Sequence, residues 1–388
     1  MAGNSIPASG ADPDFAAWLT ALRAEAIEQG ISPTTLDDAL QGIEPLADVI
    51  ERDRRQPEFT QTFWNYLDRR VTPTRIERGR MLLAQNEELL AEVQRRYGVQ
   101  PRFLVAFWGL ESNFGDYTGN FPVIGAVATL AYDQRRSAFF RAQLLDALGI
   151  LEEGHITPAA MTGSWAGAMG QLQFIPSTFV HYAVDHDGDG RRDIWQSLPD
   201  IFASAANYLA NIGWDGSKTW GREVRLPPDF AWNLAGMDEQ KDLADWQALG
   251  VRRADGRNLP QVDIAGSIVL PAGHRGPAFL VYRNFHAILG WNRSLFYAIA
   301  VGHLADRIAG NPAFASARPA EERPLSRREV EELQELLLSL GFDPGTPDGV
   351  IGSQTRAALR AFQRTAGLPP DGYPSYEALQ LLRQSSKS

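Results

Sequence analysis

The chain has 388 residues, 44% hydrophobic and 22% charged, which suits a globular protein large enough for more than one domain. Its net charge of −10 argues against general nucleic-acid binding, because phosphate contacts need clustered Lys and Arg, and no apolar run reaches the length of a membrane span. The absence of cysteine excludes disulfides, thiolate nucleophiles, Cys-ligated zinc and a lipid anchor on an N-terminal Cys.

The start, "MAGNSIPASGADPDF", has neither a charged n-region nor an apolar h-region. The protein is therefore either cytoplasmic or exported on a signal that this chain lacks. Residues 12–100 read as helices. "DFAAWLTALRAEAIEQG" has helical apolar spacing and closes on Gly30, and "SPTTLDDAL" restarts with Ser32 as N-cap and Pro33 at the first helical position. "TPTRIERGRMLLAQNEELLAEVQRRYG" predicts a third, long helix closed by Gly98.

Residues 101–214 hold two apolar helices and two glycine-rich stretches. Across 215–282 the pattern changes: "GREVRLPPDF", "VDIAGSIVLPAG" and "AFLVYRNF" predict short strands and loops. "NRSLFYAIAVGHLADRIAG" returns to helix, and the Pro/Ala/charge-rich stretch 311–326 reads as a linker. From Arg327 a separate small unit begins, with an internal echo between "PDGVIGSQTRAAL" and "PDGYPSYEALQLL".

In "FWGLESNFGDYTG", residues 107–119, an apolar run ends on a single acid, Glu111. In a helix Phe107 and Trp108 share its face. Apolar neighbours and the helix C-terminus both disfavour the ionised carboxylate, which prepares a general acid; the plainer reading is a Glu that bonds loop amides and holds a turn. A second stretch, "GSWAGAMGQLQFIPSTF", has Gly163, Gly167 and Gly170 among Ser164, Ala166 and Ala168. Small residues let a backbone approach something bulky, or simply pack helices tightly. Gln171, Gln173 and Ser177 add neutral hydrogen-bonding groups, and Trp108, Trp165, Phe174 and Tyr208 add flat faces. Neutral donors with aromatic plates suit a sugar.

"LESNFG" followed by "GAMGQLQFIPSTF" resembles the lytic murein transglycosylases, relatives of goose-type lysozyme. With "RQPEFTQTFWNYLDRRV" and "AANYLANIGW" the chain resembles the lytic murein transglycosylase B family over residues 12–310. The resemblance implies a mainly α fold: a lysozyme-like helical core (101–214 and 283–310), an N-terminal helical subdomain (12–100) and a small β-containing insertion (215–282). Glu111 matches the family's catalytic acid, Ser164 and Gln173 its cleft wall, and Phe174 and Tyr208 its sugar face. A later family segment, Phe-Tyr-x-Ile-x-x-Tyr-Asn, is here "FHAILGWN", with His286 and Trp291 replacing tyrosines and Asn292 retained.

Most glycosidases use two carboxylates. The nearest others in sequence, Asp116 and Asp133, lie in a turn and beside Arg135 and Arg136, and neither stands out. The resemblance implies one Glu, assisted by the substrate's N-acetyl group. It would cleave the β-1,4 bond between N-acetylmuramic acid and N-acetylglucosamine, closing a 1,6-anhydro ring. A hydrolytic muramidase and a non-catalytic wall-binding scaffold are the alternatives.

"DHDGDGRRDIWQ" places Asp185, Asp187, Asp189 and Asp193 at positions 1, 3, 5 and 9 of an EF-hand-like loop, with Gly190 at 6 and Arg191 at 7. Position 12 is Gln196 where a carboxylate is usual, so the expectation is a weak structural Ca2+, against an Asp/Gly turn neutralised by Arg191 and Arg192. No cofactor is expected for the chemistry.

Residues 327–388 resemble a small helical peptidoglycan-binding domain through Leu333-Gln334, Leu340-Gly341, Asp348-Gly349, Gly352, Thr355, Phe362-Gln363 and Gly367-Leu368. The resemblances imply a periplasmic location and peptidoglycan glycan strands as partner, beside cell-wall synthesis or remodelling proteins.

Overall fold

Capping residues and helically spaced apolar residues do form helices along the described residues between 13 and 97. The computed structural model describes residues 13–54, 61–133, 136–318 and 323–386. The tip of the chain and residues 319–322 of the expected linker lie outside the described residues, as do 55–60 and 134–135. The first helices are α1 (Pro13–Glu28), α2 (Pro33–Leu40), α3 (Ala47–Arg54), α4 (Phe63–Arg70), α5 (Pro73–Gln85) and α6 (Glu87–Tyr97). Ser32 Oγ accepts the Thr35 N–H at 3.2 Å, and Gly30 closes α1 at φ 93°.

The single helix expected over 73–97 is two. Asn86 interrupts it, and its carbonyl accepts the Leu90 N–H to open α6. Asn competes for backbone bonds in a helix interior and favours caps, while Glu87 and Glu88 suit a new N-terminus.

Next come α7 (Pro101–Ser112), β1 (Phe121–Pro122), α8 (Val123–Tyr132), α9 (Ser137–Glu152), β2 (Thr162–Gly163), α10 (Pro176–Tyr182) and α11 (Leu198–Asn211). The β-containing part is β3 (Gly221–Arg225), β4 (Lys241–Asp242), α12 (Leu243–Ala248), β5 (Arg252–Arg253), β6 (Ala265–Val269) and β7 (Ala278–Val281). Helices return with α13 (Arg283–Trp291), α14 (Leu295–Ile308), α15 (Arg327–Ser339), α16 (Ser353–Thr365) and α17 (Tyr376–Ser385). The fold is mainly α with small sheets, as expected.

Two compact units share the chain. The first takes the described residues within 1–56, 86–97 and 107–208. Its centre is the α8–α9 pair, where α8 is buried along nearly its whole length. Thr129, fully inside, donates to Gly125 O and accepts the Leu46 N–H, so no polar atom of its hydroxyl is wasted.

The second unit takes those within 57–85, 98–106 and 209–388. Its sheet has the order β4-β6-β7-β3-β5, with antiparallel pairing throughout and Ile268 opposite Leu280. The stretch "AFLVYRNF" is strand only to Val281 and then turns into α13. Trp220 lies fully buried, its Nε1 donating to Asp306 at 2.9 Å. Gly302 of α14 lets that indole lie against the helix.

The expected linker is not loose where it is described. Ala315 and Ser316 donate their N–H groups to Glu223 at 2.6 and 2.8 Å, and Phe314 stacks on His303 with centroids 3.7 Å apart. Arg318 pairs with Asp68 and covers the Trp64 ring. An extended segment docked through single residues has no periodicity to read.

The tail packs α15, α16 and α17 around Leu333, Leu337, Leu359, Phe362 and Leu379. The echo in its sequence is a repeated device. Gln334 Oε1 accepts the Asp348 and Gly349 N–H groups, and Gln363 Oε1 accepts that of Gly372. Each Gln also donates Nε2 to the aspartate of its Asp-Gly turn. Both glutamines are buried.

A methyl on Gly302 would overlap the Trp220 ring. Overpacking a filled site costs about 1–3 kcal/mol. Gly302→Ala should therefore lower the unfolding free energy by that amount in denaturant titration, and a curve matching wild type would refute the packing.

Candidate active site

Helix α7 is buried from Phe103 to Leu110, and Glu111, its penultimate residue, is half-buried. The chain then takes three consecutive left-handed residues: Asn113 (φ 53°), Phe114 (φ 61°) and Gly115 (φ 86°). Glycine accepts this without cost and Asn tolerates it, but an aromatic there stores strain of about 1–2 kcal/mol. Burial compensates, since Phe114 lies edge-on to Trp108 at 5.5 Å. Ser112 completes the turn: its Oγ donates to Trp108 O and accepts the Gly115 N–H, and its carbonyl accepts the Tyr117 N–H.

The glycine-rich loop is pressed against this turn. A Cβ on Gly115 would strike Gln171, and one on Gly119 would strike Gly163 O. Trp108 Nε1 donates to Gln171 Oε1 at 2.6 Å, and Gln171 Nε2 donates on to Trp195 O at 2.7 Å. Gln173, itself left-handed at φ 51°, donates Nε2 to Thr118 O at 2.8 Å and to Gly170 O at 3.0 Å. Ser164 Oγ accepts the N–H groups of Ala166 and Ala168, so its hydroxyl shapes the loop and keeps its own proton to donate.

These residues belong to the first unit together with Tyr208. Burial pushes the Tyr208 hydroxyl above its ordinary range, with Tyr182 adding to it, so it stays a neutral donor. Tyr208 packs on Tyr182 at 4.7 Å and on Phe174 at 5.7 Å. Phe174, expected on the sugar face, is 2% exposed and packs against Tyr208; Trp108 is likewise buried and serves as a strut. Trp165 remains half-exposed. Asp116 accepts from Asn113 Nδ2.

The remaining expected sugar contacts lie in the second unit. His286 is exposed on α13 and Trp291 half-exposed at its end. Asn292 spends its side-chain oxygen on the Ser294 N–H at 3.0 Å.

The aspartate loop gathers differently from its spacing. Oxygens of Asp185, Asp187 and Asp200 lie within 4.8 Å of one another. Asp189 is not in this set and pairs with the Arg191 guanidinium, which holds its carboxyl below the usual range. Asp193 accepts the Trp195 and Gln196 N–H groups. Asp200 was missed because it lies past a twelve-residue window, in the first turn of α11. Burial pushes its carboxyl up, the nearby Asp187 acting the same way, while N–H groups of His186 and Asp193 oppose the shift. A buried acid repelled by a neighbouring acid fits a hard divalent cation with oxygen ligands.

Residues 14–306 match the family model described as "Transglycosylase SLT domain", and 326–382 the "Putative peptidoglycan binding domain". The chain is 30% identical over 257 residues to the membrane-bound lytic murein transglycosylase B of Escherichia coli strain K12, covering 63% of this chain and 66% of the relative. The crystal structure of SltB3 from Pseudomonas aeruginosa in complex with NAG-anhNAM-pentapeptide is similar at 50% identity and a TM-score of 0.92, over 95% of this chain and 99% of that one. The Escherichia coli lytic transglycosylase Slt35 in complex with calcium is similar at 26% identity and a TM-score of 0.65, over 77% and 95%.

Removing Gln171 would leave the Trp108 indole N–H without its acceptor. A part-buried donor so orphaned costs about 1–3 kcal/mol. Gln171→Ala should lose stability in that range in a denaturant titration. Unchanged stability would mean that the bond does not hold the end of α7.

Proposed function

The chain belongs to the transglycosylase SLT family, and we propose that it is a lytic transglycosylase that cleaves peptidoglycan with Glu111 as its one acid and base. The observation that carries this reading is Glu111 itself: a half-buried residue ending a buried helix, followed by a left-handed turn against which a glycine-rich loop is pressed.

Glu111 protonates the oxygen that leaves between N-acetylmuramic acid and N-acetylglucosamine. The substrate's N-acetyl group supports the cationic carbon. Glu111, now a carboxylate, takes the proton of the C6 hydroxyl as that oxygen attacks C1 and closes the 1,6-anhydro ring. The nucleophile is tethered to the reacting carbon, so water competes poorly and no second carboxylate is needed. Ser164, Gln173 and Tyr208 offer hydrogen bonds to sugar hydroxyl and amide groups. The solved relative bound to NAG-anhNAM-pentapeptide supports this product chemistry.

Residues 327–388 hold the enzyme to the wall, and the site of action is the periplasm; among the described residues no helix is long and apolar enough to cross a membrane. Asp185, Asp187 and Asp200 would hold a Ca2+ that fastens the loop to α11, with no part in the chemistry. The relative solved with calcium supports that choice of ion.

Digestion of purified peptidoglycan should give products one water lighter than hydrolytic ones and without a reducing end, read by mass spectrometry. Reducing sugars as the main product would make the enzyme a muramidase. Glu111→Gln keeps the shape but has no proton to give, so clearing should fall at least about a hundredfold. For the ion, millimolar calcium should raise the melting temperature and Asp187→Asn should abolish the rise. Identical melting curves in calcium and EDTA would reduce the loop to a turn.

A further inference from the structure

The turn after Glu111 carries one large side chain that stands mostly outside its packing. Tyr117, at 68%, is the most exposed large hydrophobic side chain among the described residues. The aromatic that anchors the turn is Phe114, buried and edge-on to Trp108. One exposed aromatic is ordinary on a protein surface, but this one stands on a backbone fixed at both sides.

The Tyr117 N–H donates to the carbonyl of Ser112, the residue next to Glu111, at 2.9 Å. The carbonyl of the following residue, Thr118, accepts Gln173 Nε2 at 2.8 Å. Gly115 and Gly119, both left-handed, bracket the position. A Cβ on the first would strike Gln171, and one on the second Gly163 O and Ser164 N, so both flanks press on the glycine-rich loop. Tyr117 is therefore set between the end of α7 and the loop that carries Ser164 and Gln173, all within the first unit.

A ring with two rotatable bonds on a fixed backbone has little freedom to lose when a ligand covers it. Its apolar face gains by being covered, while its hydroxyl can stay in water. Among the parts of peptidoglycan, the pyranose rings match such a surface. Their faces present C–H bonds, and their hydroxyl and amide groups lie at the rim, where Ser164 and Gln173 supply neutral partners.

We propose that Tyr117 is a stacking platform for one sugar ring of the glycan strand, a contact that holds the strand and takes no part in breaking the bond. The proposal rests on the transglycosylase reading above, under which the strand lies at Glu111. The Tyr117 backbone is bonded one residue from that acid.

The test uses the full chain as Glu111→Gln, so that ligand is bound and not consumed. Calorimetry measures binding of a peptide-free NAG–NAM octasaccharide and of its pentapeptide-bearing form, before and after adding Tyr117→Ala. Loss of one stacked ring should weaken both about tenfold, and Tyr117→Phe should bind within about twofold of the parent. In the enzyme with Glu111 intact, Tyr117→Ala should raise KM for peptide-free glycan and leave kcat in place, whereas a displaced acid would lower kcat. Thermal melting should be unaltered, and a fall would make the ring structural and overturn the platform. Unchanged affinity in Tyr117→Ala, a loss confined to peptide-bearing glycan, or a Phe variant as weak as the Ala variant also overturns it. Each of these leaves the transglycosylase reading standing. If the Glu111→Gln parent binds neither glycan, that reading fails and the platform with it.

Discussion

The hydrogen bond from the Trp108 indole to Gln171 is the constraint on which the site depends. It joins the end of a buried helix to a loop rich in glycine and alanine. The same indole packs against Phe114, so it also helps to hold the left-handed turn after Glu111 that the Ser112 hydrogen bonds close. Gln171 also reaches the Trp195 carbonyl, so one amide fixes the acid's helix, the glycine-rich loop and the chain leading into α11. On the proposed reading Glu111 works alone and must be positioned more strictly than one of a pair, and this bond supplies that restriction.

The glycines show why the loop could be recognised before its geometry was known. Gly115, Gly119 and Gly163 each sit where a methyl would strike backbone or a fixed amide. Such positions leave a mark in sequence as runs of small residues, without saying whether they admit a ligand or another part of the chain. Here they admit the chain: the turn after Glu111 and the loop press on one another.

Much else was legible for similar reasons. Buried helices announce themselves by composition, as α7 and α8 do, and caps such as Ser32 and Gly30 mark boundaries. What escaped depended on partners distant in the chain. Asn86 looked like one polar residue in a long periodic helix, and only its capping of α6 divides it. Phe174 and Trp108 were readable as aromatic but not as inward or outward, since sugar plates and struts use the same residue types. Asp200 lay outside the spacing rule that found Asp185 and Asp187. Proline and alanine between 311 and 318 read as a tether because docking through Phe314 and two N–H groups has no period.

The repeated glutamine turn of the tail has a consequence beyond its own fold. In the second copy, Asp371 is also claimed from outside: His274 of the β-containing region gives it both its N–H at 2.8 Å and a contact from Nδ1 at 2.7 Å. Arg275 pairs with Glu377 in the first turn of α17, and His274 rests edge-on to Trp232. Two turns built alike are thus under unequal demands, the second also held by the β-containing region. A small module seated in this way behaves less like an anchor on a rope than like a jaw on its frame, and grips with little freedom left to lose.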